Sequence, residues 1–175
     1  MRHKYATRAI VLSRGLARES GLVLTLLTQD LGLVRARAEG LRKPGAKLAG
    51  SLQTLCECEV TLLRGRDGWR LSGALLTENH FRVLTPSARA CAARVAGLFL
   101  RLMPPDAHEA GFFSLYADFV RGITTSTPEE QETLECTTVL SLLIMLGLDS
   151  GSVPKDGALR EVIMRINRGI AASGL

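Results

Sequence analysis

The chain has 175 residues, 46% of them hydrophobic, a net charge of +5 at pH 7 and a pI near 9.4. That supplies apolar material for one or two small cores, while four cysteines with no CxxC pair exclude a disulfide scaffold. The longest apolar run, VLSLLIMLGL, is too short to span a bilayer, and the N-terminus MRHKYATRAIVLSRG lacks the apolar stretch of a signal peptide. A reduced, cytoplasmic protein without membrane association is expected. The charge is unevenly spread: residues 1–84 carry 14 Lys+Arg against 7 Asp+Glu, and residues 85–175 carry 8 against 10. A basic first half joined to a slightly acidic second half points to two domains with different partners, the first suited to a polyanion.

In chain order, Ala9–Leu12 is a short apolar run, and Arg14 and Arg18 are expected on the loop after it. Leu22–Thr28 is a second run, closed by the turn residues Gln29-Asp30-Leu31-Gly32. LVRARAE then alternates, with Leu33, Arg35, Arg37 and Glu39 on one face and Val34, Ala36 and Ala38 on the other. Next comes RAEGLRKPGAKLAGSL (37–52), whose Arg42, Lys43 and Lys47 sit among three glycines and a proline. Taken alone, it reads either as a solvated loop or as a backbone-tracking nucleic-acid contact. Beyond it Leu52, Thr54, Cys56, Cys58, Val60 and Leu62 share a face opposite Gln53, Glu57, Glu59 and Thr61, and Gly65-Arg66-Asp67-Gly68 turns into Trp69-Arg70-Leu71-Ser72. Five short strands predict a small antiparallel barrel or sandwich.

The period changes near Thr85-Pro86-Ser87. Ser87 is expected to cap a helix that Pro104-Pro105 stops, and Phe112, Leu115, Tyr116, Phe119 and Ile123 have helical spacing. Thr127-Pro128-Glu129-Glu130 starts a third helix, running to Leu146 and ended by Gly147. A last amphipathic helix spans 158–173. The predicted fold class is α+β: a β-barrel domain over residues 1–82, followed by an all-α helical domain over 86–175.

No catalytic constellation is present in the sequence. Cys56 and Cys58 read as small core residues in preference to half a metal site, Glu57 and Glu59 as solvated surface, and Trp69 as core. Neither GxxxxGK[ST] nor GxGxxG occurs, so nucleotide hydrolysis and dinucleotide binding lack support. A non-enzyme without cofactor or metal is expected. With Tyr5, Trp69 and Phe81 the only aromatics of the first half, base stacking is at most a minor term.

The order AIVLSRGLARESGLVLTLLTQDLGLVRARAEGLRKPGAKLAGSLQTL resembles the start of the RecO family of bacterial recombination mediators. The resemblance rests on Glu19-Ser20, on the Thr28–Gly32 hairpin, on Ala38-Glu39-Gly40-Leu41-Arg42-Lys43 and on Leu48-Ala49-Gly50-Ser51-Leu52-Gln53. It is strongest over residues 5–80 and looser over 86–148. It implies a five-stranded OB-fold barrel followed by a helical domain. It also implies a mediator that binds single- and double-stranded DNA, anneals complementary strands and, with RecR, helps load RecA onto DNA coated by single-strand-binding protein. On this resemblance Arg35, Arg37, Arg42, Lys43 and Lys47 contact DNA, with Arg14 and Arg64 as additions. Arg94, Arg101 and Arg121 are the helical-domain cations for the acidic tail of the single-strand-binding protein, and the protein acts in the cytoplasm, at the nucleoid. An adaptor for RecR or that tail, with little DNA affinity, is the alternative. Many family members carry a cysteine-rich zinc module after the segment matching LLIMLGLD; here that place holds DSGSVPKDG, with no cysteine or histidine, so no zinc is expected there.

Overall fold

The computed structural model describes residues 3–16, 21–38, 52–104, 107, 111–154 and 159–174. They form two compact units, one of Met1–Val83 with Pro104–Ser114 and one of Leu84–Met103 with Leu115–Leu175.

The first unit is built on β1 (His3–Leu16), β2 (Leu22–Thr28), β3 (Gly32–Ala38), β4 (Cys56–Gly65) and β5 (Gly68–Asn79), followed by the short helix α1 (His80–Val83). The strands close into a barrel in the order β1-β2-β3-β5-β4. Four seams are antiparallel, but β3 and β5 run parallel, with Ala36 beside Trp69 and Arg37 beside Arg70. The wholly antiparallel expectation fails for a topological reason. Alternating directions cannot close around an odd number of strands, so one seam has to be parallel. This order, with its single parallel seam, is that of a five-stranded OB barrel.

Local sequence explains the strands. In β3, Val34, Ala36 and Ala38 are buried while Arg35 and Arg37 are exposed, the period-two pattern of a strand with one face in the core. At the β2–β3 turn the Thr28 hydroxyl accepts from the Leu31 N–H (3.0 Å) and donates to the Gly32 carbonyl (2.7 Å). Gly32 has φ +65, which a side chain would disfavour. The β4–β5 hairpin turns through Arg66-Asp67, with Gly68 at φ +96. The barrel core includes Leu24, Leu26, Val60 and Leu62 together with Cys56 and Cys58, both fully buried as free thiols.

Two strands are longer than their apolar runs, and one is shorter. β1 and β5 extend well beyond Ala9–Leu12 and Trp69–Ser72, because main-chain pairing with β4 continues past the apolar part. β4 begins only at Cys56. Leu52 and Leu55 are still buried, but Leu55 has φ +66, and its N–H donates to the Val11 carbonyl from a turn.

The second unit contains α2 (Pro86–Leu102), most of α3 (Gly111–Thr125), α4 (Pro128–Met145) and α5 (Leu159–Ala172). Thr85, and not Ser87, caps α2: its hydroxyl accepts from the Ala88 N–H (3.2 Å), with Pro86 at the first helical position. Proline there has no N–H to satisfy, so the cap moves to the residue before it. Ser87 instead turns its hydroxyl to Gln131 (3.4 Å). α4 opens with the expected Thr127, in a reciprocal capping box with Glu130. It ends in a Schellman motif: Gly147 has φ +70, its N–H donates to the Ile144 carbonyl, and the Leu148 N–H donates to the Leu143 carbonyl. Inside the unit, Tyr116 packs edge-on to Phe99 (5.3 Å between centroids) and donates its buried hydroxyl to the Ala92 carbonyl (3.0 Å). Among the described residues, no helix is long and apolar enough to cross a membrane.

Candidate nucleic-acid interface

β3 presents Arg35 and Arg37 outward because its other face is committed to the core. The parallel seam places Arg70 of β5 directly beside Arg37. Neighbouring strands lie ~5 Å apart, so the two guanidinium groups leave adjacent backbone positions. The row continues around the barrel: Arg70 is in register with Leu63 of β4, and Leu63 with exposed Lys4 of β1. In the other direction Arg37 pairs with Val23, and Arg35 with Thr25 and then Ser13. The outer wall of β2, β3 and β5 thus carries three arginines beside short hydroxyl or apolar side chains. The strand 2–3 face and the loop between strands 4 and 5 form the ligand surface of OB barrels in general. Here that loop is Arg66-Asp67, next to the same wall.

The other cations expected to contact nucleic acid separate from this row. Arg64 is in register with Trp69, and its guanidinium lies 4.8 Å from the indole centroid, while Tyr5 meets the indole edge-on at 5.2 Å. Because Leu63 is the partner of Arg70, Arg64 emerges from the opposite side of β4. Trp69 packs on the barrel core as expected but keeps part of its surface exposed. Arg14 belongs to β1 itself, not to the loop after it, and it aligns with core Leu24. Its charge reaches the Cys56 thiol, where burial is nonetheless the larger effect and raises the pKa. Arg18, Arg42, Lys43 and Lys47 lie outside the described residues.

In the helical unit Arg94 and Arg101, seven residues apart, share a face of α2, and Arg121 of α3 pairs with Asp118 (2.8 Å). Arg94 is held by Glu135 of α4 in a two-pronged ion pair, at 2.7 Å from Nε and 2.5 Å from Nη2. The Cys91 thiol donates to the same carboxylate at 3.1 Å. Burial pushes the Glu135 carboxyl up, but the hydrogen bonds from Arg94 and Cys91 outweigh it and hold it below the ordinary glutamate value. Burial, then Glu135, push the Cys91 thiol up to about 12. A cleft of about 370 Å³ beside this cluster is also lined by Glu132. The Arg94 charge is thus already paired within the helical unit, although its side chain stays 60% exposed.

Sequence reasoning missed two features. Arg70 stood in a recognised strand, but nothing local put it next to Arg37. Glu57, expected in solvent, is 2% exposed: one oxygen takes an ion pair from Arg8 of β1, and the other faces His80 Nε2 at 3.4 Å. Its strand face points outward as read, but α1 brings the fully buried His80 over it. A carboxylate can stay there only because both oxygens are matched. The sole advance signal was the proximity of Glu78 and His80 at the end of the last strand.

Comparison with known proteins bears on the barrel first. Residues 1–79 match the family model described as "Recombination protein O N terminal". The chain is 29% identical over 129 residues to the DNA repair protein RecO of Dehalococcoides mccartyi strain 195, which covers 73% of this chain and 51% of that protein. It is 39% identical over 64 residues to the DNA repair protein RecO of Desulforudis audaxviator, covering 37% of this chain and 26% of the relative. The chain thus spans about half the length of the first of these relatives. With an OB-type barrel over the matched residues and helices following it, the first 79 residues of the chain are similar to the N-terminal domain of the RecO family.

Proposed function

We propose that this protein is a non-enzymatic DNA-binding mediator of recombination in DNA repair. It would bind single- and double-stranded DNA, anneal complementary strands, and with RecR help load RecA onto DNA coated by single-strand-binding protein. The observation that carries the reading is the row Arg35, Arg37 and Arg70 on the outer wall of a RecO-type barrel. Guanidinium groups on adjacent strands suit successive phosphates, each of which releases counterions when neutralised. Phosphate contacts carry no sequence information, so such a surface accepts either of two complementary strands. It also leaves base edges free to find their partners, the physical requirement of annealing. The stack of Arg64, Trp69 and Tyr5 at the barrel end offers one place for a base and no extended platform.

A second reading, an adaptor for RecR or the acidic tail of single-strand-binding protein with weak DNA affinity, draws support from exposed apolar side chains near the β5–α1 junction. Leu75 and Val83 are 65% and 58% exposed, with Phe81 between them. An annealing assay with complementary oligonucleotides, run beside pull-downs with RecR and with the tail peptide, separates the two. Annealing that fades as salt rises supports the mediator. Partner capture without annealing supports the adaptor.

A further inference from the structure

Glu57, Glu78 and His80 offer ligand atoms that all lie within 4.8 Å of one another, on β4, the end of β5 and the start of α1. The imidazole is fully buried, and its two nitrogens face different carboxylates: Nε2 is 3.4 Å from Glu57 Oε2 and Nδ1 is 3.6 Å from Glu78 Oε1. Glu57 is already committed, with its other oxygen paired to Arg8. It can therefore take the Nε2 proton, which leaves the Nδ1 lone pair aimed at Glu78. That nitrogen has no hydrogen-bond partner. A shared proton would draw a charged pair to about 2.8 Å, so 3.6 Å is too long for a hydrogen bond. It is close to the ~3.4 Å edge between a nitrogen and an oxygen bound to one tetrahedral zinc-sized ion at about 2.0–2.2 Å each.

We propose that His80 Nδ1 and Glu78 bind a divalent transition-metal ion, with Glu57 as the outer carboxylate that fixes the imidazole tautomer. A carboxylate accepting from the far nitrogen of a ligating histidine is the usual support of such a ligand. An imidazole with a carboxylate favours zinc and the later transition metals, for which cobalt is a spectroscopic stand-in, over magnesium, calcium or manganese, which suit oxygen ligands. Glu78 is half exposed, so an ion arriving from solvent meets it before the buried nitrogen, and water completes the coordination. The site joins the end of β5 to α1 inside the barrel unit and is independent of the DNA reading.

The test is titration of the tag-free chain with zinc by calorimetry and with cobalt by visible absorption, repeated on Glu78→Gln and Glu57→Gln. The expected result is one ion per chain, a d–d spectrum without thiolate charge-transfer bands, and a zinc-induced rise in Tm. Affinity falls at least tenfold in Glu78→Gln, and 10- to 100-fold in Glu57→Gln, the range for outer partners. Because Glu78 is half exposed, its variant keeps the fold and the comparison stands even where Glu57→Gln is unstable. Absence of a binding heat, equal affinity in Glu78→Gln, or thiolate bands placing the ion on cysteine would each overturn the proposal.

Discussion

Replacing Glu57 by alanine tests the buried cluster most sharply, because the same strand supplies its own control in exposed Glu59. Two terms set the cost. His80 is fully buried, and orphaning its Nε2 donor costs about 1–3 kcal/mol. Arg8 keeps 47% of its side chain exposed, so water takes over most of its charge and its share is that of a surface pair, about 0.2–1 kcal/mol. The loss is therefore roughly 1–4 kcal/mol, reaching only the lower part of the ~3–5 kcal/mol typical of breaking a fully buried pair. For a chain of this size that lowers Tm by roughly 2–16 °C. Glu59→Ala, on a solvated position, should stay within about 0.5 kcal/mol. Urea unfolding of both variants measures the difference. Equal and small losses would mean that Glu57 is not buried against α1, and the reasoning would fail.

Other consequences can be checked together. Tyr116→Phe removes the hydroxyl donated to Ala92 and should cost about 0.5–1.5 kcal/mol, whereas Tyr116→Ala should cost about 3–5 kcal/mol by leaving a cavity against Phe99; denaturant melts distinguish them. Gly147→Ala forces a side chain into φ +70 at the end of α4 and should cost about 1–2 kcal/mol. The Cys58 and Cys91 thiols, both pushed up to about 12 chiefly by burial, should resist a thiol reagent at pH 8 in the native chain and react on unfolding. Glu135 has a native pKa below its unfolded one, so its contribution is complete above the unfolded value, about pH 4.3, and is lost as pH falls through the native value. Glu135→Gln should accordingly flatten the acid limb of the stability profile.

What the sequence carried was mostly local. Alternation along β3 foretold which side Arg35 and Arg37 take, and Thr127-Pro128-Glu129-Glu130 foretold the cap of α4, because strand faces and helix ends are decided by a few adjacent residues. The features it concealed depend on distant pairings. Arg70 meets Arg37 only because barrel closure puts β5 against β3, and Glu57 is buried only because α1 folds over its strand face. Ser87 was mistaken for a cap since the two hydroxyls flanking Pro86 look alike until the missing proline N–H is considered. The basic stretch 39–51 lies outside the described residues, so the interface rests on Arg35, Arg37 and Arg70.

The central claim is that this wall of arginines follows a phosphate backbone. The most direct test is a salt titration of single-stranded oligonucleotide binding, comparing the parent chain with the triple variant Arg35→Ala/Arg37→Ala/Arg70→Ala at matched Tm. Losing three phosphate contacts should reduce the slope of log affinity against log salt by about 2, at ~0.7 per contact on single strands, and weaken binding at low salt. An unchanged slope with unchanged low-salt affinity would contradict the account.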